Sequence, residues 1–157
     1  MRRILTLLVG SSFLMIASCG NPLYKKISAP EGHQISLSLE RTPCLGECPV
    51  YKATFDLSDK ELRYEGRQFV SGKGKQTYAL TAEEVNRISS IIEANDYLGF
   101  QDNYDGPITD VPSCITRLSI AGIEEKSVYH RFEGPEKLVE IEQLLDSILL
   151  SKLGGTI

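Results

Sequence analysis

The segment Arg41-Thr42-Pro43-Cys44-Leu45-Gly46-Glu47-Cys48-Pro49-Val50-Tyr51 constrains the fold of this chain more than any other stretch. A proline beside each cysteine removes a backbone donor, so a strand entering at Arg41 does not run through to Tyr51. In a straight strand the α-carbons of residues four apart stand about 13 Å from each other, at roughly 3.3 Å per residue. A disulfide tolerates only about 4.4 to 6.8 Å. If the pair is bridged, the chain turns back on itself, and Gly46 is expected to permit this by adopting a positive φ. The segment reads as a corner between two strands.

The leader bears on whether these thiols meet an oxidising compartment. Arg2 and Arg3 precede an apolar run, Ile4 to Ile16, that ends in small residues, which is the pattern of an export signal. Its 13 residues fall short of the about 20 that a transmembrane helix needs. Ile16-Ala17-Ser18-Cys19 resembles the lipobox of bacterial lipoproteins, which implies cleavage before Cys19 and a thioether-linked diacylglycerol on that residue, with an acylated amine. The other reading is an ordinary signal peptide with an incidental cysteine. Gly20 stands where lipoproteins retained in the inner membrane often carry aspartate, so the resemblance implies the outer membrane. Each buried methylene contributes about 0.8 kcal/mol, and two or more acyl chains hold where one binds marginally. On this reading residues 1–18 are signal peptide, 19–33 a lipidated tether and 34–153 a single domain.

Without the leader the chain carries 15 basic and 21 acidic residues, a net charge of −6. That balance argues against nucleic acid, which demands a basic face. The expected partners are the membrane, through the lipid, and an envelope protein.

Downstream of the tether, Ile35, Leu37 and Leu39 alternate with polar residues, the period of a half-buried strand. Beyond the cysteine corner, Tyr51, Ala53, Phe55 and Leu57 share one face of a second strand. Ser58-Asp59-Lys60 reverses the chain into a third, with Leu62 and Tyr64 inward and Gly66 at its end. An irregular strand is expected over residues 67–80, broken near Ser71-Gly72-Lys73-Gly74. Thr81-Ala82-Glu83-Glu84 forms a capping box, and Val85, Ile88, Ile91 and Ile92 supply the stripe of the helix it opens. Residues 95–112 have no clean period, and Leu98 and Phe100 are expected to fold that loop back onto the core. A hairpin follows, with Cys114, Thr116, Leu118 and Ile120 on one side and Val128, His130 and Phe132 on the return. Gly134-Pro135 opens a last helix, proline at its first position, with Leu138, Ile141, Leu145, Ile148 and Leu149 as the stripe and Gly154 as the stop. The order of strands, helix, hairpin, helix predicts an α+β fold, an antiparallel sheet with two helices on one face.

Of four cysteines, lipid claims one, which leaves Cys44, Cys48 and Cys114 and one free thiol. Export makes a Cys44–Cys48 bridge the first expectation. Closing so short a loop stabilises by about 2 kcal/mol, against somewhat over 4 for a closure from Cys44 to Cys114. Cys114 sits on the apolar face of its strand and reads as a small core residue. A redox or copper role is the sharper alternative: Cys-x-x-x-Cys-Pro with a distant histidine is similar to copper-handling proteins of the thioredoxin superfamily, and two thiolates with His130 would suit Cu(I). In those proteins, however, the motif opens a helix, whereas Val50 to Leu57 alternates as a strand.

Other chemistry finds little footing. Asp102-Asn103-Tyr104-Asp105-Gly106 resembles a calcium loop, but Pro112 falls where the twelfth ligand should be. Gly72-Lys73-Gly74-Lys75 lacks the Walker spacing. No Gly-x-Ser-x-Gly occurs, and His130 beside Tyr129 reads as packed rather than catalytic. No cofactor, metal site or catalytic residue is expected.

The cysteine segment, Tyr64-Glu65-Gly66 through Gly74, and Thr109-Asp110-Val111-Pro112 together resemble a family of bacterial envelope lipoproteins known as a domain of unknown function, with a Cys-x-Gly-x-Cys-Pro-x-Tyr hallmark. The resemblance runs from about Gln34 to Leu150, and it implies no activity, cofactor or substrate. We therefore expect a non-enzymatic binding or structural lipoprotein, with Arg41, Glu47 and Tyr51 as the candidate surface. The competing expectation is a thiol-redox or copper-binding envelope protein using Cys44 and Cys48.

Overall fold

The computed structural model describes residues 34–121 and 124–155. The expected signal peptide, Cys19 and the tether lie outside the described residues. The first four strands are β1 (Ile35–Arg41), β2 (Val50–Asp56), β3 (Glu61–Gln68) and β4 (Gly74–Ala79), and they form an antiparallel meander. Helix α1 (Ala82–Ala94) follows, then a single 3-10 turn at Tyr97–Gly99 and a two-residue strand β5 (Asn103–Tyr104). The hairpin of β6 (Cys114–Ile120) and β7 (Glu124–His130) leads into α2 (Glu136–Lys152). In the sheet the order is β4-β3-β2-β1-β6-β7-β5. The expected α+β fold with two helices is present, but the sheet is mixed rather than wholly antiparallel, because β5 pairs in parallel with β7.

Period-two alternation decides which face is covered. Leu37, Leu39, Ala53, Phe55, Leu62, Leu118 and Val128 are all essentially solvent-free, and they share one cluster with Ile88 and Ile92 of α1 and Leu138, Ile141 and Leu145 of α2. Burying an aliphatic or aromatic side chain of this size contributes about 1.5–3 kcal/mol, so the seam between the helices and the sheet is the main source of stability. The opposite face stays polar. There Glu40 on β1 accepts from Arg67 at 2.9 Å and from Arg117 at 3.3 Å, a chain of exposed pairs that contributes little to stability.

Local signals set the ends of the elements. At α1 the capping box is complete: the Glu84 amide donates to the Thr81 hydroxyl at 3.1 Å, and the Thr81 amide donates to the Glu84 carboxylate at 2.7 Å. Lys152 of α2 donates to the same carboxylate at 2.8 Å, tying the end of one helix to the start of the other. Burial acts to raise the Glu84 pKa, but these donors outweigh it and hold the carboxyl below its ordinary range. Pro135 stands at the N-cap of α2, one position earlier than expected, and Gly154 stops the helix in the left-handed region at φ 79.

Two strand boundaries differ from expectation. β3 does not end at Gly66 but runs on to Gln68, because Gly66 still pairs with both Tyr51 and Gly74. β7 ends at His130, so Phe132 lies beyond the ladder. The long loop after α1 is held much as its aromatics suggest. Tyr97 is buried with its hydroxyl donating to Thr116 at 2.7 Å, and Leu98 and Phe100 pack against the core.

Candidate functional site

One cross-strand row at the corner end of the sheet gathers the chemistry. Reading across from β3, it runs Gly66, Tyr51, Arg41, Cys114, His130 and Tyr104. All six occupy positions in phase with the buried face, where the strands place large apolar residues further along. Here Tyr51, Arg41 and His130 bring polar groups instead, and α2 answers them with Glu142 and Asp146.

Asp146 binds two residues at once. Its Oδ2 accepts from Arg41 Nη2 at 2.6 Å, and its Oδ1 accepts from the Tyr51 hydroxyl at 2.5 Å. Glu142 lies one turn earlier and is buried; its Oε1 is 2.8 Å from His130 Nδ1, and its Oε2 accepts from Arg41 Nη1 at 3.4 Å. The two arms of the corner, three residues before Cys44 and three after Cys48, are thus gripped by a single carboxylate.

Burial sets the electrostatics of the row. It acts to lower the Arg41 pKa, but the Asp146 and Glu142 carboxylates outweigh it, and the guanidinium is held more firmly charged than usual. Burial and the Asp146 carboxylate both raise the Tyr51 pKa, keeping the phenol protonated as a donor. Burial and the adjacent Glu142 carboxylate raise the Cys114 pKa. A thiol held neutral in this way is inert as a nucleophile, so Cys114 is a buried free cysteine of the core, as its strand position suggests.

Above the row sits the corner itself. Cys44 and Cys48 form a disulfide with their α-carbons 5.8 Å apart. The reversal does not use a left-handed glycine: Gly46 is not among the residues with positive φ, and a Cβ there would lie at an ordinary 3.8 Å from Cys44 Sγ. The Gly46 amide donates to Cys44 Sγ at 3.2 Å. Leu45, at the tip, is 83% exposed. The loop is laced to β6 at its base, where the Thr42 amide donates to the Ser113 carbonyl at 3.0 Å and the Ser113 amide donates to the Thr42 hydroxyl at 2.8 Å. Between this loop and residues 110–113 runs a groove of about 440 Å³ lined by Cys44.

A family model described as a domain of unknown function, DUF6438, matches residues 35–149, from the first residue of β1 into the last turn of α2. The chain belongs to the DUF6438 family. No curated protein matches it. The disulfide, the Asp146 clamp and the groove all lie inside the span that defines the DUF6438 domain.

The three residues expected to form one surface on this DUF6438 domain are separated by burial. Glu47 is exposed on the loop, Tyr51 is 2% exposed and points under α2, and Arg41 is half-buried against Asp146 and Glu142. Nor are Cys44, Cys48 and His130 assembled as ligands. The sulfurs are bonded to each other, His130 faces Glu142, and no group of three or more His, Cys, Asp or Glu suited to a metal occurs among the described residues. Glu142 and Asp146 were not anticipated. The signal for Glu142 was available, because it falls four residues after Leu138 and three before Leu145, on the stripe that α2 buries.

Proposed function

We propose that this domain is a thiol–disulfide module of an exported protein, held in the cell envelope by lipid on Cys19, with the Cys44–Cys48 pair as its working element. The observation that carries the reading is the independence of the bridge from the fold. It closes only its own loop, and Asp146 already holds both arms of that loop through Arg41 and Tyr51. Closing five residues contributes about 2 kcal/mol, so the bond opens and closes while the domain stays folded. Both cysteines are half-buried residues, and the Gly46 amide on Cys44 Sγ favours a thiolate at that position.

The reduction potential tests this. Equilibration of the full chain in glutathione buffers is expected to give a value above about −300 mV, with the far-ultraviolet circular dichroism of the reduced form unchanged. A lower potential, or unfolding on reduction, would mark a permanent brace. It would favour a second reading, in which the loop is a static recognition element displaying the exposed Leu45 to an envelope partner.

The anchor has its own test. The resemblance of Ile16-Ala17-Ser18-Cys19 to a lipobox is what supports attachment through a lipid on Cys19. Cys19→Ala is expected to move the protein from the membrane to the soluble fraction, and unchanged sedimentation with membranes would overturn the assignment.

A further inference from the structure

We infer that the groove beside the disulfide is the docking site for a polypeptide segment bearing a cysteine pair and a basic residue, and that Cys44 is the sulfur that forms the mixed disulfide. This rests on the thiol–disulfide reading and gives it a direction of approach. Cys44 lines the groove together with Thr42, Leu45, Val111, Tyr129 and Arg131, whereas Cys48 does not. A thiolate seated there therefore reaches Cys44 first.

The groove is mostly polar, with two apolar residues at its rim. On the floor, the Tyr129 and Ser113 hydroxyls bond at 2.6 Å, and Arg131 is neutralised by Asp105 through bonds of 2.6 and 3.0 Å. On the rim stand Leu45, 83% exposed, and Val111, 36% exposed, two of the three large hydrophobic residues left exposed among the described residues. Val111 follows Asp110, whose φ of 69 is costly for a residue other than glycine. An apolar side chain set between Leu45 and Val111 would cover both.

Charge selects the occupant further. Asp110 at the rim and Glu47 on the loop are exposed carboxylates with no ion-pair partner among the described residues. A lysine or arginine beside the incoming cysteine complements them, and it also lowers the pKa of that thiol, raising the fraction of attacking thiolate.

The exchange balances without a further reagent. The partner's first thiolate attacks Cys44 Sγ, the Cys44–Cys48 bond breaks, and its electron pair leaves on Cys48, which takes up the proton that the partner's thiol gave up. The partner's second thiolate then attacks the partner sulfur of the mixed disulfide. Cys44 leaves as a thiolate facing the Gly46 amide and takes up the second proton. The partner dithiol is oxidised by two electrons, and the domain disulfide is reduced to two thiols.

The test uses the oxidised full chain and two synthetic dithiol peptides, one with leucine and lysine beside its cysteines and one with glycine and glutamate there. The first is expected to reduce the bridge about tenfold faster, a ratio in the range that small apolar contacts supply. Val111→Ser and Asp110→Asn should each bring the ratio of the two rates toward one. With the disulfide form of the first peptide, Cys48→Ser should accumulate a mixed disulfide at Cys44 faster than Cys44→Ser does at Cys48. Equal peptide rates, or a ratio untouched by both rim substitutions, would overturn the groove while leaving the redox reading intact. Faster trapping at Cys48 would overturn the choice of sulfur. If dithiothreitol fails to open the bridge in the folded wild-type chain, the redox reading itself fails.

Discussion

Asp146→Ala is expected to lower the unfolding free energy of the domain by about 3 kcal/mol, at the low end of the range for breaking a buried ion pair. The carboxylate has two dependants. Its loss removes the short 2.6 Å ion pair of the Arg41 guanidinium, whose contact to Glu142 is a longer 3.4 Å, and it leaves the Tyr51 hydroxyl without its carboxylate acceptor beneath α2. About a quarter of each of the Arg41 and Asp146 side chains remains in reach of water, which tempers the penalty. Asp146→Asn keeps an acceptor for Tyr51 but not the charge, and it should cost roughly half as much, because a neutral hydrogen bond is about half as strong as a charged one. Urea denaturation checks this: at a slope of about 1.5 kcal/mol/M, alanine should lower the midpoint by about 2 M. A shift under about 0.5 M would show that the clamp contributes little and that the arms of the corner are positioned by the strands alone.

Gly66→Ala is expected to be about as damaging, against the usual direction for such a change. Within a strand, alanine is normally favoured over glycine by about 0.5–1 kcal/mol. At Gly66, however, a Cβ would stand 2.0 Å from the Gly72 carbonyl oxygen and 2.6 Å from the Tyr64 hydroxyl. Tyr64 lies two residues earlier on the same face and extends its ring along β3 over the glycine. That ring is buried against Tyr51, with centroids 5.9 Å apart, and its hydroxyl has no hydrogen-bond partner among the described residues. Neither obstacle yields easily, since one is backbone and the other is wedged in the core. We expect a loss of about 3 kcal/mol, the upper end for overpacking. Gly46→Ala is the matched control, expected to stay within about 0.5 kcal/mol as an ordinary surface change. Thermal unfolding of the two variants side by side would show whether Gly66 or Gly46 is the glycine the fold requires; similar melting temperatures would refute the assignment.

The alternation of Ile35, Leu37 and Leu39, and of Tyr51, Ala53 and Phe55, placed two strands and their inward faces correctly, because a half-buried strand has few other ways to hide its apolar side chains. The Thr81–Glu84 box located α1 because capping is a local bond between residues three apart. What escaped was non-local. β5 exists only because Asn103 and Tyr104 find backbone partners on β7, and a two-residue strand leaves no periodicity to read. Gly46 drew attention as the glycine between two cysteines, yet the glycine under real steric demand is Gly66, whose neighbours Tyr64 and Gly72 meet only after the chain has turned. Tyr51 belongs to the inward face, as its parity with Ala53 and Phe55 dictates, and not to the surface. Arg41 follows the same parity from Leu39, and its partners on α2 stand 101 and 105 residues away, beyond the reach of any local rule.

The single carboxylate beneath both arms of the corner also bears on how this domain can change over time. With Arg41 and Tyr51 fixed from below, the exposed tip between the two cysteines, Leu45 to Glu47, forms a cassette whose composition is decoupled from the stability of the scaffold. Substitutions at Leu45 or Glu47 alter what is displayed without reaching the core. Relatives that keep the clamp therefore have room to diversify the loop and meet different partners on the same frame.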